Sequence, residues 1–176
     1  MIAADNGMSD SKRYRCHLVL LAVMIAALSG VIAQRSAGPK ILSLSLSAKS
    51  ANSRSAWDGS IDISLAIESG YHINSNSTTS EFLIPTSVKF KLNPLVEFGP
   101  LEYPKGVTKK LGFSEEKVSI YKGKVTITAP FKAAPRASSG QEVTIQGVFA
   151  YQACTDQACL PPRAEDFEIL VTLPKR

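Results

Sequence analysis

From Ile41 onward, apolar and polar positions alternate with a period of two. In "ILSLSLS" Leu42, Leu44 and Leu46 alternate with serines, and in "IDISLAIE" Ile61, Ile63, Leu65 and Ile67 take every second place. The segments "VKFKL" from Val88, "KVSIY" from Lys117, "KVTITA" from Lys124, "EVTIQGVFAY" from Glu142 and "FEILVTL" from Phe167 repeat the pattern. Successive side chains of a strand point to opposite faces, so each segment predicts a half-buried strand, and their Val, Ile, Thr and aromatic content agrees. Turn pairs separate them: Asp58-Gly59, Ser69-Gly70, Asn93-Pro94, Lys105-Gly106, Lys122-Gly123 and Ser139-Gly140. Past residue 33 there is no sustained helical stripe, and Pro85, Pro94, Pro100, Pro104, Pro130 and Pro135 would interrupt one. About seven short strands in one domain predict an all-β, immunoglobulin-like antiparallel β-sandwich, with a closed barrel as the alternative. The stretch from Ala48 to Ala56 and "KAAPRASSG" from Lys132 are expected to be loops.

The first part of the chain has a different character. The basic run "SKRYR" at Ser11 to Arg15 precedes "CHLVLLAVMIAALSGVIA", which carries no charge before Arg35. A basic segment, an apolar segment and then small residues is the order of a secretory signal. Val31 and Ala33 suit the small-residue positions, so residues 1–33 are expected to be a signal peptide cut after Ala33. The alternative is an uncleaved anchor, because the apolar run approaches the ~20 residues of a spanning helix. Cys16 stands at the start of the apolar run, where it does not resemble a lipid-modified cysteine, and it would leave with the leader. Residues 34–176 have the length of one ordinary domain, and no repeat or second domain is visible.

Charge excludes one class of function. Removing the leader changes the net charge by one, from +5 to +4, and the remaining charges of both signs are mixed, with Lys109-Lys110 answered by Glu115-Glu116. That is a solvated surface and not a nucleic-acid groove. Membrane association is expected only through an uncleaved leader.

Export changes the reading of the cysteines. Cys154 and Cys159, in "YQACTDQACLPP", are the two that lie beyond the leader, and disulfides persist outside the cytoplasm. Flanking a hairpin loop, they would face each other at ~4.5 to 5.5 Å between α-carbons, a separation a disulfide accepts. A loop this short contributes only about 2 kcal/mol in the chain-entropy account, so the bridge is a poor staple for a domain that can build a core. Against a redox role, most pairs in exported β-domains are structural, the spacing is not C-x-x-C, and no Lys, Arg or His lies inside the loop. Spacing alone therefore favours a structural bridge. Metal binding by His72 with two thiolates is the weakest reading, and no metal or cofactor is expected. In "PKGVTKKLGFSEEK", Phe113 is either a residue tucked into the edge of the core or the tip of a lid.

Beyond these patterns, "YQACTDQACLPP", "GYHINSN" from Gly70, "YPKGV" from Tyr103 and "IYKGKVTI" from Ile120 resemble the N-terminal periplasmic domain of the thiol:disulfide interchange protein DsbD. The resemblance covers most of residues 34–176 and implies an immunoglobulin-like fold in the bacterial periplasm. It implies a domain that takes electrons from a thioredoxin-like donor and passes them to periplasmic disulfide isomerases or cytochrome c maturation thioredoxins. By position, Cys159 matches the cysteine that forms mixed disulfides and Cys154 the one that resolves them. Phe113 matches a cap-loop phenylalanine, and His72, Asn74 and Tyr151 are expected to line the site. Leu111-Gly112 departs from the acidic residues some relatives carry there. The chain ends at Arg176 without a membrane conduit or a thioredoxin-like domain, so it is either a free-standing version served in trans or a piece of a longer architecture. The rival expectation is a non-enzymatic extracytoplasmic binding module with a structural disulfide.

Overall fold

The computed structural model describes residues 40–50, 56–78, 82–112 and 116–175. The expected leader, its cut after Ala33, and Phe113 lie outside the described residues. Eleven strands follow in order: β1 (Leu42–Ser50), β2 (Gly59–Ile67), β3 (His72–Asn74), β4 (Ser87–Phe90), β5 (Val96–Phe98), β6 (Val107–Lys110), β7 (Lys117–Tyr121), β8 (Lys124–Ala133), β9 (Glu142–Tyr151), β10 (Ala153–Cys154) and β11 (Arg163–Thr172). They form antiparallel sheets ordered β1-β2-β8-β5, β10-β3-β7-β6 and β11-β9-β4. The fold is all-β and immunoglobulin-like, as the alternation predicts. Among the described residues no helix is long and apolar enough to cross a membrane.

The alternating positions become the core. Ile61, Ile63 and Leu65 of β2 and Ile127 of β8 meet Val143, Ile145 and Phe149 of β9 and Phe167 of β11 in one buried cluster. Each fully buried side chain of this kind stabilises the fold by about 1.5–3 kcal/mol, so the sandwich has an ample apolar source of stability. Gly147 makes room within it, since a Cβ there would stand 2.4 Å from the Phe167 ring. The turns at Gly70 and Gly123 have φ of +85° and +65°, a backbone conformation that glycine adopts without steric cost.

Four strands were not visible in the pattern. β5 and β10 are three and two residues long, and β6 is exposed at every position. β3 is buried at every position, because this strand is covered on both faces. Ile73, Tyr121 and Ala153 face the main core, while a second cluster of Leu83, Leu111, Val118 and Ile120 packs on the outer side. Two expected loops are shorter than predicted. Ala48, Lys49 and Ser50 belong to β1, opposite Ile61, Ser60 and Gly59, and Lys132 and Ala133 complete β8. There the ladder of backbone hydrogen bonds to a neighbouring strand outweighs the polar, small-residue composition.

Candidate functional site

The long hairpin of β9 and β11 carries the cysteines at its tip. The two strands pair as far as Tyr151 opposite Arg163. Pairing then breaks at Gln152 on one side and at Pro161-Pro162 on the other, since proline has no N–H for the ladder. Beyond the break the chain closes a short second hairpin, in which Leu160 N donates to Ala153 O and Thr155 N donates to Ala158 O, both at 2.8 Å. Cys154 and Cys159 lie between these two bonded pairs, directly opposite each other. Such a non-hydrogen-bonded position brings cross-strand side chains closest together. The two are joined by a disulfide with α-carbons 3.9 Å apart, nearer than the hairpin expectation. The Thr155 hydroxyl accepts from Gln157 N and Ala158 N and so holds the turn.

The two cysteines differ in exposure. Cys154 is fully buried, whereas Cys159 is partly exposed and packs against the outer cluster of Leu83, Leu111, Val118 and Ile120.

His72 is paired with Cys154, and Asn74 is bonded to Gln152, two residues before it. His72 stands opposite Cys154 in the β3–β10 ladder, on the side away from Cys159. Directly opposed residues project from the same face, so His72, Cys154 and Cys159 form one row across adjacent strands. His72 is 3% exposed, and among the described residues its Nε2 has no hydrogen-bond partner. Burial pushes the imidazole below its ordinary value of 6.5, the Asp156 carboxylate pulls it back up, and Lys109 lowers it again. Asn74 donates from Nδ2 to Ile84 O at 3.0 Å and to Gln152 Oε1 at 3.1 Å.

Gln152, two residues before Cys154, links several segments at once. Its Oε1 also accepts from Ile84 N at 3.1 Å, and its Nε2 donates to Leu160 O at 3.2 Å on the far side of the cysteine hairpin. One amide therefore ties the break in β9–β10 to β3, to the 82–86 loop and to the return strand. The sequence offers a polar residue flanking a cysteine, and nothing in its pattern marks this role.

Asp156 at the hairpin tip was also missed. Both its carboxylate oxygens accept from Lys109 Nζ, at 2.7 and 2.8 Å, and its carbonyl accepts from Gly112 N at 3.1 Å. This ion pair joins β6 to the cysteine hairpin. The Lys109 hydrogen bond holds the Asp156 carboxyl below its ordinary range, and the charges of Lys109, His72 and Lys122 act in the same direction. Thus the fold supplies the histidine and lysine that the loop itself lacks.

Tyr151 is buried and stacks on Phe149, with its hydroxyl donating to Glu165 Oε1 at 2.9 Å. Burial first, then the Glu165 carboxylate, pushes its phenol up to about 12, so it stays protonated. Its hydroxyl serves the β9–β11 hairpin that carries the cysteines and is engaged there with Glu165.

Fold and site together define an immunoglobulin-like β-domain bearing a cysteine pair at a hairpin tip. Residues 45–171, well over half of the chain, match the family described as thiol:disulfide interchange protein DsbD, N-terminal, and the chain belongs to that family. Among solved structures, the Neisseria meningitidis DsbD n-terminal domain in the reduced form is similar at 19% identity, over 64% of this chain and 81% of that chain, with a TM-score of 0.44. The N-terminal periplasmic domain of ScsB from Proteus mirabilis superposes with a TM-score of 0.53 at 12% identity, over 78% of this chain and 49% of that chain. This chain thus spans about half the length of the ScsB domain, and the likeness is one of fold. No curated protein matches the chain.

Proposed function

We propose that this protein is an extracytoplasmic thiol–disulfide carrier that exchanges electrons through Cys154 and Cys159. The observation that carries the reading is the asymmetry of the bridge. Cys159 is partly exposed at the hairpin tip, and Cys154 is fully buried. A donor thiolate attacks Cys159 Sγ, and Cys154 leaves as a thiolate that takes up a proton. The donor's second thiol then attacks its own sulfur in the mixed disulfide and releases Cys159, so two electrons have entered the domain. In the second half, the Cys159 thiolate attacks an acceptor's disulfide, and Cys154 resolves the adduct by attacking Cys159, which returns two electrons to the acceptor. No cofactor takes part.

Family membership supports a thioredoxin-like donor acting in trans. It supports as acceptors a periplasmic disulfide isomerase or a cytochrome c maturation thioredoxin, with the leader directing export to the periplasm. Phe113, three residues beyond Lys110 of β6, is proposed to shield the disulfide until a partner displaces it. The direct test is trapping in a periplasmic extract. Cys154→Ala is expected to accumulate mixed disulfides through Cys159, and Cys159→Ala to form none. Absence of any adduct with Cys154→Ala would contradict the carrier reading in favour of a binding module with a structural bridge.

A further inference from the structure

Every turn of such an exchange requires a proton to leave or reach Cys154, and this sulfur is fully buried. Water therefore serves it poorly, and a thiolate in apolar surroundings is disfavoured unless a base or a positive charge stands beside it. His72 is the titratable side chain directly opposite Cys154, projecting from the same face of the sheet. Cross-strand neighbours of this kind have Cβ atoms about 4.5–5.5 Å apart, within reach of an imidazole. Nearly all buried polar atoms in proteins are hydrogen-bonded, yet His72 Nε2 is buried with no partner among the described residues while Cys154 is held in the disulfide. Opening the bridge creates a thiol or thiolate on the neighbouring strand, the kind of partner this nitrogen lacks.

The surrounding charges suit the task. Asp156 at the hairpin tip, Lys109 on β6 and Lys122 after β7 line a pocket of about 160 Å³ with His72 and Tyr71. Burial outweighs the pull of the Asp156 carboxylate, which Lys109 partly offsets, so the imidazole stays neutral near pH 7, able to accept a proton.

We infer that His72 is the proton relay of Cys154, accepting its proton when Cys154 attacks and returning one when Cys154 leaves; the inference rests on the carrier reading above. In the resolving step the Cys154 S–H proton passes to the His72 nitrogen, and the Cys154 thiolate attacks Cys159 Sγ. The Cys154–Cys159 bond forms, the Cys159–acceptor bond breaks, and the acceptor leaves as a thiolate that is protonated from the imidazolium or from water. In the reverse step the neutral imidazole first takes the proton of the attacking thiol, and the imidazolium so formed protonates Cys154 as it departs.

A small aromatic disulfide, 5,5′-dithiobis(2-nitrobenzoate), separates the two steps in the reduced protein. Attack by Cys159 releases one coloured thiolate, and resolution by Cys154 releases the second. His72→Gln is expected to slow the second release by about a hundredfold at pH 7, the low end of the about 10²–10⁴-fold contributed by positioned acid–base groups. The first release should change by less than about twofold, because Cys159 lies on the other side of Cys154 from the relay. In the unaltered protein the second release should fall as pH drops through the lowered His72 value; in the variant it should instead climb steadily with thiol ionisation. Equal second-release rates and pH profiles in the two proteins would overturn the relay. A readout on the unaltered protein guards against a variant that fails to fold: the His72 titration followed by NMR should differ between oxidised and reduced forms, and identical titrations would overturn the relay as well. No release of either thiolate by the reduced, unaltered protein would refute the carrier reading itself, and the relay with it.

Discussion

Asp156 sits at the hairpin tip between the two cysteines, and its carboxylate is the charge that most favours the protonated form of His72. Asp156→Asn removes that charge and leaves Lys109 without its counter-ion, so both changes act against imidazolium. The His72 pKa is expected to fall further below 6.5 than in the unaltered protein, as measured by NMR titration; a rise would contradict the electrostatic account. The stability consequence has a definite sign. A group whose folded pKa is depressed contributes stability that is present above its unfolded value and lost as pH falls through the folded one. Stability should therefore decline below about pH 6.5, and the Asp156→Asn protein should decline further before levelling. Residue-scale chemistry of this kind was only half legible in the sequence. Cys154, Cys159, His72 and Asn74 could be named, because cysteine spacing and a short matching motif mark them. The partnership of Lys109 with Asp156 could not, since it spans strands that only the fold brings together.

Among the elements, the cysteine hairpin is held by side-chain hydrogen bonds as much as by its ladder. β10 is two residues long, and the return strand gives up its donors at Pro161 and Pro162. Gln152 compensates by bonding Asn74, Ile84 and Leu160 together. Gln152→Ala is expected to cost about 1–3 kcal/mol, the range for leaving partly buried donors and acceptors unsatisfied, measured by urea unfolding of the oxidised protein. An unchanged midpoint would mean that the amide only decorates the break. The same elements show why some strands escaped the hydrophobic pattern. β2 and β9 have one face on the core, so their alternation is plain. β3 has apolar cover on both faces, and β6 has neither face buried, so no alternation is left to see. Those two strands supply His72 and Lys109 to the cysteine hairpin, and this is why its surroundings were less legible than the sandwich that holds it.

At the scale of the whole molecule, stability and chemistry reside in different places. The core between the sheets is continuous from Ile61 and Ile127 to Ile145 and Phe167, and it does not run through the disulfide. The bridge closes a loop of five residues' separation and contributes only about 2 kcal/mol in the chain-entropy account. A bridge that adds so little to stability is suited to exchange, and the partial exposure of Cys159 provides the point of attack. The most direct measurement is an equilibrium redox titration of the protein, with thiol alkylation and mass readout of Cys154 and Cys159. A midpoint within about −270 to −180 mV, the span of thioredoxin-like carriers, is the expected result. A midpoint well below about −300 mV would show a structural bridge and contradict the carrier function.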